Sequence, residues 1–274
     1  MTEAIQLESP PAASVANLRL GAALAALAEA ARRSPHLRSM PSPRFQRGGR
    51  EFTVPHFMFN GPLSGGEVVR LGFFAGVHGD EPEGVQSLLA LLQQLLDQPV
   101  LAAGYQLHFY PVCNPTGFAA GTRHSATGRD LNREFWKRSE EPEVLWLEHE
   151  LATKRFDGLV SLHSDDTANG YYTYVRGGVF TETLARPALN AATQVLPVDT
   201  RPVIDGFRNR NGLLYECFTG VLAAPPVDLD PQPFELILET PQLAPVDRQV
   251  QANLAALLVI LEAYHGFLGY QTGI

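Results

Sequence analysis

Apolar residues recur along this chain with two different spacings, and segments of the two kinds alternate. Short, nearly continuous apolar runs are typical of buried strands, whereas leucine or alanine at helical intervals indicates helices. Strands are predicted at residues 52–61, 67–77, 105–112, 156–164, 171–175 and 234–241. Helices are predicted at residues 14–33, 82–98, 141–155, 181–196 and 245–268. This alternation predicts an α/β fold, with three α/β/α layers around a mixed, largely parallel central sheet.

The first fifty residues differ in pattern from the rest of the chain. After the predicted N-terminal helix, residues 34–50 contain proline, serine, glycine and arginine with no period, which predicts a basic loop. We expect residues 1–50 to form a helix and a basic, proline-rich loop that pack on one large domain at 51–274. The proline-rich stretch at 224–233 is interpreted as a loop within that domain.

Composition narrows the classes of function. The net charge is −8, and no basic run exceeds two residues, so we expect no binding to nucleic acid or to acidic membranes. The N-terminus lacks the pattern of a signal peptide, and no apolar run is long enough to span a bilayer. Two cysteines do not make a disulfide scaffold. A cytoplasmic protein is expected, whereas the oligomeric state is left open.

Polar residues that could carry chemistry follow several of the predicted strands. His78 and Glu81 come after the strand at 67–77, His163 ends the strand at 156–164, and Glu239 lies in the last one. In open α/β sheets, ligands bind at the carboxyl ends of the strands. We therefore expect these side chains to converge.

Two interpretations of His78 and Glu81 are open from these residues alone. Two histidines and a glutamate are a known ligand set for catalytic zinc, with His163 as the third ligand. Alternatively, His78 caps a turn, and Glu81 stabilises a helix N-terminus by its charge. His163 could equally be a hydrogen-bonded structural residue. The acidic residues Asp80 and Glu83 are given no ligand role.

The segment from Asn114 to Trp136, "NPTGFAAGTRHSATGRDLNREFW", concentrates arginine with polar partners. The planar guanidinium of arginine pairs with carboxylates through two parallel hydrogen bonds and stabilises oxyanions. Such residues suit a substrate with a free carboxylate. A surface loop with solvated arginines is the alternative.

The motifs "HGDE", "NPTGF", "RHSATGRDLNR", "SLHSD" and "ETP", in this order over residues ~67–265, resemble the zinc carboxypeptidase superfamily. That superfamily spans M14-type metallocarboxypeptidases and the succinylglutamate desuccinylase and aspartoacylase branch. The resemblance implies a zinc carboxypeptidase-like catalytic domain that binds one zinc ion per chain through His78, Glu81 and His163.

The same resemblance implies roles for further residues. Glu239 matches the general base, and Arg123 matches the arginine that polarises the scissile carbonyl. Asn132 and Arg133 match the pair that binds the terminal carboxylate of the substrate, and Tyr215 matches a mobile tyrosine that caps it.

The implied activity is removal of a C-terminal residue from a peptide by attack of zinc-activated water. One alternative is deacylation of an N-acyl amino acid, and another is non-catalytic binding of a carboxylate or peptide on the same scaffold. The spacing within "RHSATGRDLNR", and the single predicted helix after Glu239, favour the peptidase branch. Arg201, Arg208 and Arg210, with the basic loop, could suit a doubly acidic substrate. Asp228 and Asp230 could instead suit a basic terminal residue.

Overall fold

The computed structural model describes residues 12–63, 67–176, 181–222, 225–226, 229–230 and 232–272. Its helices are α1 (Ala12–Ala31), α2 (Pro82–Asp97), α3 (Pro115–Ala120), α4 (Pro142–Lys154), α5 (Arg186–Ala192) and α6 (Val246–Thr272). The first six strands are β1 (Leu37–Ser39), β2 (Arg44–Arg47), β3 (Arg50–Thr53), β4 (Phe57–Asn60), β5 (Val69–Phe74) and β6 (Tyr105–Tyr110). The other strands are β7 (Gly158–Asp165), β8 (Tyr172–Arg176), β9 (Val203–Ile204), β10 (Phe207–Arg208), β11 (Leu213–Leu214) and β12 (Phe234–Pro241).

A mixed sheet of eight strands forms the centre, in the order β1-β4-β6-β5-β7-β12-β8-β11. Its middle strands β6, β5, β7 and β12 are mutually parallel, whereas β4 and β8 run antiparallel to their neighbours β6 and β12. The predicted mixed central sheet is therefore confirmed. Parallel strands that are covered on both faces have nearly continuous apolar sequences. Strand β7 is an example, since it is buried along almost its whole length.

Helices cover both faces of this sheet. Successive strand residues point to opposite faces, so Phe73 belongs to one apolar cluster with α2 and α6, whereas Phe74 belongs to a second cluster with α4. The two clusters are the interfaces between the three predicted layers. The predicted fold class is thus confirmed, and its core lies on both sides of the middle strands.

Three details of the predicted elements were wrong. Residues 34–50 are not only a loop: β1 joins the edge of the central sheet, and β2 pairs with β3 in a hairpin. The predicted strand at 52–61 is divided into β3 and β4 at Pro55, which cannot donate to a sheet ladder. The helix predicted at 181–196 is a π-helical turn, Thr181–Ala185, followed by the short α5.

Some elements escaped prediction altogether. Helix α3 and the two-residue strands β9, β10 and β11 are too short to show a hydrophobic period. Helix α1 packs on α2 and on β1, although the division of the chain at residue 50 stays a prediction. In the described part of the chain, none of the helices combines the length and the apolar character needed to cross a membrane. Both cysteines, Cys113 and Cys217, are free.

Candidate metal centre and active site

His78, Glu81 and His163 lie together at the carboxyl ends of β5 and β7. All three are buried, and one ligand atom from each lies within 4.8 Å of the others. Nδ1 of His78 is 2.6 Å from Glu81 Oε1, and Nδ1 of His163 is 3.0 Å from Glu81 Oε2. The two Nδ1 atoms are 3.3 Å apart. The three strongest metal-ligand candidates of the sequence therefore converge, as expected for polar residues at the ends of neighbouring parallel strands.

The turn that carries His78 and Glu81 is shaped by its neighbours. Pro82 occupies the first position of α2, where a missing backbone N–H has no cost. Glu81 is the N-cap residue, but its side chain caps no backbone N–H of α2. Its carboxylate instead meets the two imidazoles. Of the two interpretations that the sequence left open, the geometry thus favours ligation over helix capping.

A second layer of groups holds the far side of each imidazole. Nε2 of His78 donates to Asp130 Oδ1 across 3.1 Å. Nε2 of His163 lies 3.0 Å from the hydroxyl of Ser161, two residues earlier on β7, and 3.4 Å from Nδ2 of Asn132. A carboxylate partner such as Asp130 fixes the tautomer and orientation of a ligating histidine, and Ser161 and Asn132 hold the ring of His163 in place. Both Nδ1 atoms are thereby directed at one point beside Glu81.

This donor set fits a metal ion. Two imidazole nitrogens and a carboxylate are the chemistry that catalytic zinc takes, with a further position left for water or substrate. Because the three side chains are buried and directed at one another, the group has the convergence of a ligand set rather than of solvated surface residues.

The charges in the group are strongly coupled. Burial disfavours a charged imidazole, but the carboxylates of Glu81 and Asp130 outweigh it and raise the pKa of His78 to about 9. Burial opposes ionisation of Glu81, but the two imidazoles lower its pKa to about 2. Burial lowers the pKa of His163. The carboxylate of Glu81 is thus kept anionic beside two imidazoles, as a metal ligand must be.

Arg123 and Arg133 border the same group. A guanidinium nitrogen of Arg123 is 3.2 Å from Asp130 Oδ2, and another is 3.6 Å from Glu81 Oε1. Arg133 donates to the backbone oxygen of Asn132 across 2.8 Å, and its guanidinium lies 4.1 Å from the ring centroid of Phe218. Both arginines line the cavity described below, and their predicted substrate roles stay predictions.

Asn132 is more constrained than the sequence suggested. Its side chain is buried. Its Oδ1 accepts a hydrogen bond of 3.0 Å from the backbone of Leu222, whereas its Nδ2 faces His163. The asparagine therefore ties the loop before β12 to the metal-ligand group, in addition to the carboxylate-binding role predicted for it.

Glu239 lies on β12 beside the candidate metal ligands. In the sheet it is paired with His163 of β7 on one side and with Tyr172 of β8 on the other. No hydrogen bond to its carboxylate comes from the residues that the structure describes. Burial, together with the nearby charges of Glu81 and Asp165, raises its pKa well above the usual range of glutamate. A carboxyl group with these properties suits proton transfer, which stays a predicted role for Glu239.

A cavity of about 380 Å³ opens in front of these residues. Its wall contains all three candidate metal ligands with Arg123, Asn132, Arg133 and Glu239. The sequence assigned no site role to the other wall residues, which are Asp80, Ser164, Asp165, Asp166, Thr167, Tyr172, Tyr174, Asp205, Cys217, Phe218, Val221, Ile237 and Gln242. Most of these residues lie far apart in the chain and outside the quoted motifs, so the sequence carries little signal for them.

The structure does not bring Tyr215 into this cavity. The side chain is 39% exposed, lies under the guanidinium of Arg210 and borders a neighbouring cavity instead. Tyr172 and Tyr174 line the candidate site, and their hydroxyls donate to Asp165 and Asp205. Capping of the substrate by Tyr215 stays a prediction, for which the two other tyrosines are better placed.

The sequence analysis left open whether the substrate is acidic or basic, on the basis of three arginines and two aspartates. The structure describes four of these five residues. Arg201 is held by Asp199 and Asp165, with its nearest carboxylate oxygen at 2.7 Å. Arg208 is exposed, and Arg210 lies against Tyr215. Asp230 forms a surface ion pair with Arg155, whereas Asp228 lies outside the described residues. None of the four described residues 201, 208, 210 and 230 lines the cavity.

A family model and a curated protein each match part of the chain. Residues 67–193 match the family model described as succinylglutamate desuccinylase/aspartoacylase catalytic domain. Carboxypeptidase SOL1 of Arabidopsis thaliana is 36% identical over 70 residues, a match that covers 23% of this chain and 14% of that protein.

Solved structures match over nearly the whole chain. A candidate metallopeptidase from Shewanella amazonensis SB2B has a TM-score of 0.73 and 25% identity, covering 91% of this chain and 93% of that one. A metallo-carboxypeptidase from Burkholderia cenocepacia has a TM-score of 0.67 at 19% identity, covering 89% and 68%. The second likeness concerns the fold.

The fold and the buried His–Glu–His group together define a metallohydrolase. More specifically, the chain is similar to the superfamily that joins M14-type metallocarboxypeptidases with the succinylglutamate desuccinylase and aspartoacylase branch. The resemblance inferred from the sequence motifs is confirmed.

Proposed function

We propose that the protein is a zinc-dependent amide hydrolase of the metallocarboxypeptidase type, which removes the C-terminal residue of a small peptide. The observation that carries this proposal is the juxtaposition of His78, Glu81 and His163 with Glu239 in one cavity. A purely structural cluster would not require, beside a ligand set, a carboxylate that accepts no hydrogen bond from the described residues.

One zinc ion per chain would be held by His78, Glu81 and His163. Bound there, zinc lowers the pKa of a water molecule toward ~7 and polarises a carbonyl group. The nearest alternative partners of these side chains, Asp130 and Ser161, hold the opposite ring nitrogens and leave both Nδ1 atoms available.

Glu239 and Arg123 supply the remaining chemistry. The carboxylate of Glu239 accepts a proton from the attacking water and delivers it to the leaving amine. The guanidinium of Arg123 stabilises the negative charge that develops on the carbonyl oxygen, for which one donor is typically worth ~2.7–4 kcal/mol. Its side chain is 40% exposed and lines the cavity, so that a substrate can reach the guanidinium.

Arg133 and Asn132 orient the substrate. Arg133 presents a guanidinium, stacked on Phe218, at the cavity wall, and a terminal carboxylate would pair with it. Because the carboxylate is held, the scissile amide is positioned for reaction, and binding of the substrate also orients it. The expected substrate therefore carries a free carboxylate.

Deacylation of an N-acyl amino acid is the second candidate. The match of residues 67–193 to the desuccinylase and aspartoacylase family favours it. Both reactions require the same metal ligands, base and carboxylate-binding group, and they differ only in the acyl part of the substrate. A panel of blocked dipeptides and N-acyl amino acids separates the two by their kcat/KM values.

The test of catalysis is Glu239→Gln in the purified full-length protein. Metal content by elemental analysis should stay at one zinc per chain, while kcat should fall at least ~10²-fold because proton transfer is lost. Glu262→Gln, an exposed glutamate on α6, is the matched control and should retain turnover. Wild-type-like turnover by Glu239→Gln would exclude it as the base.

The metal content of the purified protein distinguishes the proposed hydrolase from a non-catalytic binding protein. Protein that is purified without metal, takes up none, and hydrolyses no member of the panel after zinc addition would refute the proposed hydrolase.

A further inference from the structure

Carboxyl groups outnumber guanidinium groups in the wall of the candidate active-site cavity. The two guanidinium groups are those of Arg123 and Arg133, and the carboxyl groups are those of Asp80, Glu81, Asp165, Asp166, Asp205 and Glu239. Glu81 belongs to the candidate metal-ligand group, and Glu239 is the proposed base. The four aspartates have no part in the proposed reaction, so they are available to recognise other features of a substrate.

Two of these aspartates already have partners within the protein. Asp165 accepts a hydrogen bond from Arg201 across 3.3 Å, and Asp205 accepts one from a tyrosine hydroxyl across 3.2 Å. Asp80 and Asp166, by contrast, are exposed and form no ion pair with any residue that the structure describes. A ligand in the cavity therefore meets two carboxylates whose charges are not neutralised by a protein cation.

Asp80 and Asp166 lie on neighbouring segments beside the candidate metal ligands. Asp80 directly precedes Glu81 in the turn after β5, whereas Asp166 directly follows β7, the strand that pairs with β5. The carboxylate of Glu81 accepts a hydrogen bond of 3.3 Å from the backbone N–H of Ser164, which ties the two segments together. The two aspartates therefore border the same part of the cavity.

Arg133 lies on the other side of the candidate metal ligands. Successive side-chain contacts lead around the wall from Asp165 to Arg133, through Tyr172, Tyr174, Phe207 and Phe218. More directly, Asn132, which precedes Arg133 in the chain, lies 3.4 Å from a ring nitrogen of His163. A substrate with its carboxylate at Arg133 and its scissile carbonyl at the metal ligands would extend its acyl part toward Asp166 and Asp80.

From this arrangement we infer that the acyl part of the substrate carries a free amino group, which Asp80 and Asp166 bind as an ammonium ion. The substrate class is then a short peptide with an unblocked N-terminus, a zwitterion with one charge at each side of the metal ligands. The inference rests on the proposed function, because Arg133 and the metal ligands set the direction in which the substrate lies.

The charge of the acyl part also separates the two candidate reactions. An α-amino group has a pKa of ~7.7–8, so it is mostly protonated at neutral pH and is attracted by the two carboxylates. An anionic acyl group such as succinyl would meet the same carboxylates and be repelled, because like charges that face each other oppose binding. The aspartates thus favour a peptide over an N-succinyl amino acid.

The experiment uses three substrates that differ only in the charge at the N-terminus: trialanine, N-acetyl-trialanine and N-succinyl-trialanine. For the zinc-loaded protein at pH 7 and low salt, kcat/KM should fall in that order. Trialanine should exceed its acetylated form by at least ~5-fold, the scale expected when two partly exposed carboxylates act on one cation. Added salt should reduce this ratio, because it screens exposed charges.

Substitutions test which side chain is responsible for the preference. Asp166→Asn should lower the ratio of kcat/KM for trialanine over N-acetyl-trialanine several-fold, whereas Asp166→Glu, which keeps the charge, should preserve most of it. Asp80→Asn should also lower the ratio. Asp97→Asn, at the far end of α2 from the cavity, is the matched control and should leave the ratio unchanged.

Equal kcat/KM values for the three substrates in the wild-type protein would overturn the inference, as would a ratio that neither asparagine variant lowers. Calorimetric titration of zinc-loaded Glu239→Gln protein with the same peptides separates this failure from failure of the proposed reaction. Where no peptide is cleaved, tighter binding of trialanine that is lost on adding Asp166→Asn still supports the inference. Equal affinities for the three peptides, or no binding of any of them, refute it.

Discussion

At the scale of single residues, Asp130 joins the two halves of the candidate site. One carboxylate oxygen accepts from His78, and the other accepts from Arg123. The backbone N–H of Asn132 also donates to the oxygen that accepts from His78, at 3.0 Å. A single side chain therefore orients a candidate metal ligand, the predicted oxyanion-stabilising arginine and the turn that precedes Arg133.

We predict that Asp130→Asn weakens zinc binding by ~10–100-fold, the usual effect of losing a carboxylate partner of a ligating histidine. The physical reason is that the amide cannot accept from His78 with the strength of a carboxylate, so the imidazole is less well oriented. Competition with a chelator of known affinity measures the zinc dissociation constant.

The matched control is Asp97→Asn, which removes a carboxylate that accepts a hydrogen bond from Gln93 on the exposed face of α2. Its zinc affinity should equal that of the wild type. An unchanged affinity in Asp130→Asn would show that Asp130 does not orient His78 in the metal-bound protein.

At the scale of elements, the turn after β5 and the helix α3 depend on a close approach of two backbones. A Cβ atom added at Gly79 would lie 2.0 Å from the backbone carbonyl carbon of Gly117. Gly79 lies directly after His78, and α3 begins the segment that leads to Arg123. The contact therefore fixes the metal-ligand turn against the arginine segment.

We predict that Gly79→Ala lowers the free energy of unfolding by ~1–3 kcal/mol or more, because the clash is with backbone atoms that cannot rotate away. Zinc affinity should fall as well, since the turn must move. Urea denaturation and chelator competition measure the two quantities.

Gly21→Ala is the comparison for this variant. Gly21 lies inside α1 with no atom within 4 Å of an added Cβ, so alanine should leave stability unchanged or raise it by up to ~1 kcal/mol. Wild-type stability and zinc affinity in Gly79→Ala would contradict the proposed role of the close backbone contact.

At the scale of the whole molecule, a buried polar network joins the central sheet to α4. Nε2 of His56 lies 2.9 Å from Nδ1 of His108, and Nδ1 of His56 lies 3.5 Å from a carboxylate oxygen of Glu150. Tyr110 donates to the same carboxylate across 2.8 Å, and Lys154 lies 3.6 Å from its other oxygen. This network stands apart from the candidate active site.

Burial lowers the pKa of His56 to about 3 and that of His108 to about 4. The unfolded chain takes up protons on both imidazoles below about pH 6.5, whereas the folded protein does not until the pH is far lower. Since the unfolded state binds more protons in this window, stability is lost as the pH falls from about 6.5 toward 4.

We therefore predict that the melting temperature falls between pH 7 and pH 4.5, and that it falls less steeply in His56→Gln/His108→Gln. Thermal unfolding followed by circular dichroism at several pH values measures both slopes. His149→Gln, an exposed histidine on α4, should behave like the wild type. Equal slopes in the double variant and the wild type would contradict the prediction.

The sequence by itself determined the features that depend on local spacing. The apolar periods predict the α/β layers, and Pro82 predicts the start of α2 immediately after Glu81. His78 and Glu81 are three residues apart, so one turn brings them together, and the superfamily motifs supply His163 and Glu239. These properties are encoded in short stretches, where chain connectivity alone limits the geometry.

Only the tertiary structure decided which side chains share a wall or a partner. It placed Tyr172 and Tyr174 in the cavity of the candidate active site and Tyr215 in the neighbouring one, and it paired Arg201 with acidic residues. The bond from His78 to Asp130 spans 52 positions of the chain. Such contacts depend on how strands and loops pack, because residues distant in sequence become neighbours only when the sheet and its covering helices assemble.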